Sequence, residues 1–227
     1  MIYMPLLLHI DTATEIATIS ISENEVVINS MINENQKEHA SFLQEGIKNL
    51  LQSCNLTIHQ LAAVSVTAGP GSYTGLRVGI ASAKGLCYAL NIPLILLNTL
   101  EVMAASAIAT ITSNIDNMLF CPMIDARRKE VFTAVYDQNL SEILAPCVMF
   151  IDENSFSDLL ENHILFCTGS GVEKSSKVIT HTNAIFRKIH NSSSVIAKIV
   201  SQKFISKNFS DIAFSNGLYI KEFHTIT

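Results

Sequence analysis

Twice along this chain a run of consecutive β-forming segments gives way to a helix and then to a further, buried strand. Leu6 to Asp11, Ala17 to Ser22 and Glu25 to Asn33 alternate or cluster β-formers around short polar breaks, which predicts an antiparallel meander. From Glu38 the period changes: His39, Leu43, Ile47, Leu50, Leu51 and Cys54 recur at three and four, the stripe of an amphipathic helix. Leu61 to Thr67 then reads as a buried strand, Leu76 to Leu90 as a helix, Leu94 to Asn98 as a strand, and Leu100 to Thr112 as a buried helix. A second set follows, with strands Met118 to Asp125 and Glu130 to Tyr136 joined as a hairpin and a third near Ala145 to Ile151. A helix from Asp152 or Asn154 through Asn162, a strand over Ile164 to Cys167 and a last helix over Ser192 to Ile205 complete it. The expected fold is a duplicated α/β unit: an N-terminal lobe over residues 1–105 and a C-terminal lobe over 106–227, with the last helix a candidate to pack back on the first lobe.

Composition narrows the function classes. The 227 residues are 48% hydrophobic and 15% charged, with mean hydropathy +0.33, which excludes intrinsic disorder and suggests apolar surface for a partner to cover. The net charge of -5 conceals a split, since residues 1–173 are strongly acidic and residues 174–227 basic. A basic tail on an acidic body suits an acidic partner or a nucleic-acid backbone, or is simply the solvated face of amphipathic helices. Trp is absent and aromatics are 7%, so an autonomous base-stacking platform is not expected. Five widely spaced Cys without a C-x-x-C pair read as reduced core residues, and no apolar run suits a signal or spanning segment, so the expected setting is the cytoplasm.

The most informative segment is Gly69-Pro70-Gly71-Ser72-Tyr73-Thr74-Gly75, a loop that opens a helix. It lacks the Lys-Ser/Thr of a Walker A loop, the third Gly of a dinucleotide fingerprint and the spacing of a nucleophile elbow. From physics alone a tight structural turn and an anion or partner contact remain equal alternatives, and Gly71, Ser72 and Thr74 are the candidate anion ligands. Asp11, Thr12 and Thr14, in the turn after the first strand, are candidates for a nucleotide-phosphate contact, although that turn has no Gly to let backbone approach a phosphate. Gly75, Gly79 and Ala83, at spacing four, suit close approach of another helix. Asp125-Ala126-Arg127-Arg128-Lys129-Glu130 is a charged turn in which Asp125 and Arg127 are positioned to pair, leaving Arg128 and Lys129 for an acidic partner.

The loop, continuing through Leu76-Arg77-Val78-Gly79 and Ala81-Ser82-Ala83-Lys84-Gly85-Leu86, resembles the signature of the TsaB family, also called YeaZ. The likeness extends to Ile10-Asp11-Thr12-Ala13-Thr14, His39-Ala40, Asp125-Ala126-Arg127 with Glu130-Val131 and, more loosely, Leu218-Tyr219-Ile220. It implies an actin-like, Hsp70-like ATPase (ASKHA) fold of two lobes, each a mixed sheet flanked by helices. It further implies a non-catalytic activator and scaffold that binds TsaD in the threonylcarbamoyl modification of adenosine 37 in tRNA. TsaE is the associated ATPase, tRNA is met only through the complex, and the protein pairs with itself when alone. No membrane association is expected. On this resemblance Asp125, Arg127 and Glu130 have a structural role.

The residues test that implication. His9, His39, His59, His163, His181, His190 and His224 include no pair four apart, so the two-His metal site of a TsaD-like enzyme is not expected, and neither is a protease of the H-E-x-x-H type. No catalytic residue and no metal ligand is assigned. No cofactor is firmly assigned either; ATP or ADP with Mg shared at the complex interface is the candidate. The expected partner interface is a helix bundle built on His39, Leu43, Ile47, Leu50, Gly75, Arg77, Gly79, Ile80, Ala83 and Cys87. Arg77, unfavourably placed for the helix dipole, calls for an anionic partner. The alternative function is an actin-like-fold ATPase or small-molecule kinase with its own nucleotide turnover.

Overall fold

A computed structural model describes residues 4–35, 38–112, 115–218 and 220, without the side chain of His39. The chain divides into two units. The first runs to Thr99 and takes in Ser192–Leu218; the second is Leu100–Asn191. The division therefore falls at Thr99 rather than residue 105, and the last helix belongs to the first unit.

In the first unit β1 (Leu6–Asp11), β2 (Ala17–Glu23) and β3 (Val26–Asn33) form the expected antiparallel meander, with Ile10 opposite Ile19 and His9 opposite Ser20. β4 (Leu61–Thr67) adds parallel to β1 and β5 (Leu94–Leu97) parallel to β4, giving the order β3-β2-β1-β4-β5. α1 (His39–Ser53) and α2 (Tyr73–Leu90) close one core: Leu43, Ile47 and Leu50 from α1 and Leu76, Ile80, Ala83 and Cys87 from α2 pack with Leu8, Ile10, Ile19 and Val66. Removing these side chains from water is worth roughly 1.5–3 kcal/mol for each large one. α6 (Ser193–Ile205) packs across β1, β2, β3 and β5.

The second unit repeats the plan. α3 (Thr99–Ile108) leads in, and β6 (Met118–Asp125), β7 (Glu130–Tyr136) and β8 (Glu142–Phe150) are antiparallel neighbours. β9 (Ile164–Thr168) and β10 (Ala184–Arg187) are parallel to β6, in the order β10-β9-β6-β7-β8. Strand alternation sends Phe120, Ala134 and Tyr136 to one face with Leu100, Met103 and Ala107, and Cys121, Met123 and Val135 to the other with Leu160 and Val172. The helix expected over 152–162 reduces to α4 (Ser157–Leu160), and α5 (Val172–Ser175) is a single turn after β9.

Candidate functional site

The glycine loop is closed on its own unit. Ser72 N donates to Ala13 O at 2.7 Å, and a Cβ on Gly71 would collide with that same carbonyl. Ser72 caps α2 by accepting from Gly75 N, and Thr12 Oγ1 donates to Gly75 O at 2.8 Å. Gly69 sits at φ +114°, where a side chain is strained, with Leu218 O pressed against it. The Asp11 carboxylate, 3% exposed, accepts from Thr67 Oγ1 at 2.7 Å and from Ala13 N at 3.2 Å. Asp11, Thr12, Gly71 and Ser72 are thus brought together, but their polar groups hold the loop against the β1–β2 turn. Thr14 donates to Ile16 O, and Thr74 is exposed on α2.

The expected interface residues divide differently. Leu43, Ile47, Leu50, Ile80, Ala83 and Cys87 are buried in the core of the first unit, and burial pushes the Cys87 thiol up to about 11. Gly75 and Gly79 also face inward, because a Cβ on Gly75 would strike Thr12 O and one on Gly79 would strike Thr12 Oγ1. The small residues at spacing four therefore admit β1 and its turn, not a partner helix. This corrects the expectation drawn from the stripe. His39 opens α1, and its side chain lies outside the described residues. Arg77 is exposed, and its guanidinium lies 3.9 Å from the Tyr73 ring centroid, a π face one turn back on the same helix.

What α2 presents outward is a second small-residue stripe, Ala81 and Gly85, running to Tyr88, whose side chain is 82% exposed. A Cβ on Gly85 would meet nothing within 4 Å. Between this stripe and α1 lies a groove of about 570 Å³, apolar along Ile47, Leu51, Leu56, Ile58 and Leu86 and polar at Gln44 and Lys48. The groove thus lies between the two helices expected to carry the interface, on the face of α2 opposite Gly75 and Gly79.

The β6–β7 turn in the second unit is held from inside. Lys174 Nζ, on α5, reaches Asp125 Oδ1 at 2.7 Å and also donates to the carbonyls of Arg128 and Glu130. Arg127 contributes its backbone N–H to Asp125 Oδ1 at 2.6 Å, so the ion pair expected between Asp125 and Arg127 is instead made with Lys174. Burial raises the Asp125 pKa, but the bonds from Lys174 and Arg127 N and the Lys174 charge outweigh it and hold the carboxyl below its ordinary value. Among the described residues no three His, Cys, Asp or Glu converge on a possible metal position, and no helix is long and apolar enough to cross a membrane.

A family model described as TsaD, tRNA N6-adenosine threonylcarbamoyltransferase, matches residues 26–215. The chain is 33% identical over 130 residues to the tRNA threonylcarbamoyladenosine biosynthesis protein TsaB of Bacillus subtilis, a match covering 57% of this chain and 54% of that protein. It is 31% identical over 133 residues to TsaB of Escherichia coli, covering 59% and 55%. The chain thus spans little more than half the length of the curated relatives it matches. Among solved structures it is similar to YeaZ from Pseudomonas aeruginosa, with TM-score 0.82 and 19% identity, covering 95% of this chain and 100% of that one. That likeness gives the fold as actin-like (ASKHA) α/β, each unit a mixed sheet flanked by helices.

Proposed function

The chain belongs to the family of that tRNA threonylcarbamoyltransferase model, within its TsaB (YeaZ) branch, and from that premise we propose that it is a non-catalytic activator of tRNA threonylcarbamoyladenosine formation that works by pairing with a TsaD protein. The observation that carries the reading is the open groove between α1 and α2, bordered by the outward stripe of Ala81 and Gly85. Small residues on an exposed helix face let a second pair of helices approach closely, and the apolar groove floor gives them area to bury. Activation then follows by population shift: a partner that binds one TsaD conformation better raises its share.

In this reading the chain supplies no chemistry of its own. Ser72 N and Gly75 N, donors that a phosphate at the helix start would need, are engaged with Ala13 O and Ser72 Oγ. ATP or ADP with Mg is therefore assigned to the complex rather than to the loop, with TsaE as the associated ATPase, and self-pairing uses the same groove in the absence of TsaD. The test is reconstitution of tRNA threonylcarbamoylation from TsaD, TsaE, threonylcarbamoyl-adenylate and tRNA, with and without the chain. Product that depends on the chain supports the activator. Equal product without it, together with ATP turnover by the isolated chain, favours an actin-like-fold ATPase or kinase.

A further inference from the structure

Of the seven Lys and Arg between Leu100 and Asn191, five lie at one end of the second sheet and Lys174 reaches it from α5. β6, β9 and β10 are parallel and β8 runs with them, so Asp125, Thr168, Arg187 and Phe150 all finish at that end. There the β6–β7 turn carries Arg127, Arg128 and Lys129, β10 runs out into Arg187 and Lys188, and all five are exposed. Lys174 and Lys177 make ion pairs with Asp125 and Glu173. The carboxylates Glu130, Asp152 and Glu153 lie on the β7–β8 side of this end. The opposite end is bordered by Asp116, Asp137, Glu142 and Glu161 and carries no cation among the described residues.

Two features make the basic end more than a solvated fringe. Arg127 and Arg128 both hold left-handed backbone, φ 69° and 52°, a region that non-glycine residues seldom occupy. Lys174 fixes that conformation from beneath by bonding Asp125 and the carbonyls of Arg128 and Glu130, so the two guanidinium groups start from a set backbone rather than a mobile tip. Lys129 stands 5.8 Å from the ring of Phe150, which is 57% exposed, placing one aromatic face among the cations. Five strands at about 4.8 Å spacing give a face roughly 19 Å wide, enough for several consecutive phosphates.

We propose that this end of the second sheet, centred on Arg127, Arg128 and Arg187, binds the phosphodiester backbone of RNA. The assignment rests on the reading of the chain as part of a tRNA-modifying complex, which supplies the RNA. The acidic opposite end turns the strand's approach toward the basic face, because like charges repel it elsewhere. The contacts are to phosphates and carry no sequence preference.

The test is fluorescence-anisotropy titration of the full chain with an unmodified tRNA transcript at several salt concentrations. Arg127→Asn with Arg128→Asn is the main variant, because Asn accepts left-handed backbone and the turn survives. The expected result is roughly tenfold weaker binding at 0.1 M salt and a slope of log affinity against log salt shallower by about 1.5. Lys198→Asn with Lys203→Asn, on α6, is expected to leave that slope unchanged. Failure of the wild-type chain to bind tRNA, an unaltered slope in the turn variant, or an equal slope loss from α6 overturns the assignment. Loss of TsaD pairing with RNA affinity intact assigns the face to a protein and overturns it as well. A chain that binds tRNA here yet does not support modification sinks the activator reading and leaves this one standing.

Discussion

Thr12 meets Gly75 twice: its hydroxyl donates to the Gly75 carbonyl at 2.8 Å, while its own carbonyl occupies the space that a Cβ on Gly75 would need. This double contact ties the β1–β2 turn to the start of α2. It also explains why the loop requires glycine there even though the loop is closed. The glycine serves an internal approach of backbone to backbone, which is one of the two uses that glycine-rich loops have.

Replacing Gly75 by Ala is accordingly expected to destabilise the chain by about 2–3 kcal/mol, because the new methyl displaces a backbone carbonyl rather than a flexible side chain. Urea unfolding followed by circular dichroism measures it. A loss below about 0.5 kcal/mol, the usual scatter of surface changes, would show that the turn yields easily.

Much of the fold was legible because the strands carry their signal in few residues. β1, β4, β6 and β7 were placed with their observed ends, since each is an apolar run closed by a polar turn. β10 was missed: Ala184–Arg187 is four residues long and none of them is fully buried, so neither length nor alternation marks it. The orientation of α2 was misread because the helix carries small residues on two faces. Arg77 held the answer. At about 100° per residue it stands nearly opposite Gly75 and Gly79 and on the side of Ala81, and a charged residue marks the outer face. The Lys174 contact to the β6–β7 turn joins residues 49 apart, and no local pattern announces it.

Gly85 separates the proposed partner face from the fold. Gly85→Ala is expected to raise stability by up to about 1 kcal/mol, since the position is helical and its Cβ direction is open. Gly85→Leu is expected to fold normally yet weaken association with TsaD at least tenfold in calorimetry. Wild-type affinity in the leucine variant would take this face out of the interface.

Lys174→Met removes the cation beneath the β6–β7 turn without shortening the side chain much. Asp125 then loses the partner that lowers its pKa, and the carbonyls of Arg128 and Glu130 lose a charged donor. Asp125 is half exposed, so screening limits the loss to about 1–2 kcal/mol. NMR titration of the Asp125 carboxyl is expected to move upward toward the ordinary Asp value, and an unmoved titration would show that the backbone N–H of Arg127 suffices alone.

His9 carries the pH dependence. It lies in β1, 1% exposed, with Nε2 at 2.8 Å from Ser22 Oγ and Nδ1 at 2.8 Å from Ser65 Oγ. Ser22 directs its own proton to Asn24 O at 2.9 Å, which makes Nε2 the donor of a neutral ring, and Ser65 gives its proton to Nδ1 at 2.8 Å in preference to Leu8 O at 3.5 Å. Burial lowers its pKa from 6.5 to about 3. Between those values the unfolded chain holds a proton that the folded chain does not, so stability is full above pH 6.5 and falls as pH drops toward 3. The expected slope from this residue is about 1.4 kcal/mol per pH unit between pH 6 and 4.5, a window above the range in which Asp125 titrates. His9→Gln is expected to lower stability at pH 7.5 through lost packing and an imperfect bond to one serine, while removing that slope. Urea midpoints measured at four pH values in both proteins decide it: parallel lines mean that His9 does not govern the acid limb, and lines that converge as pH falls mean that it does.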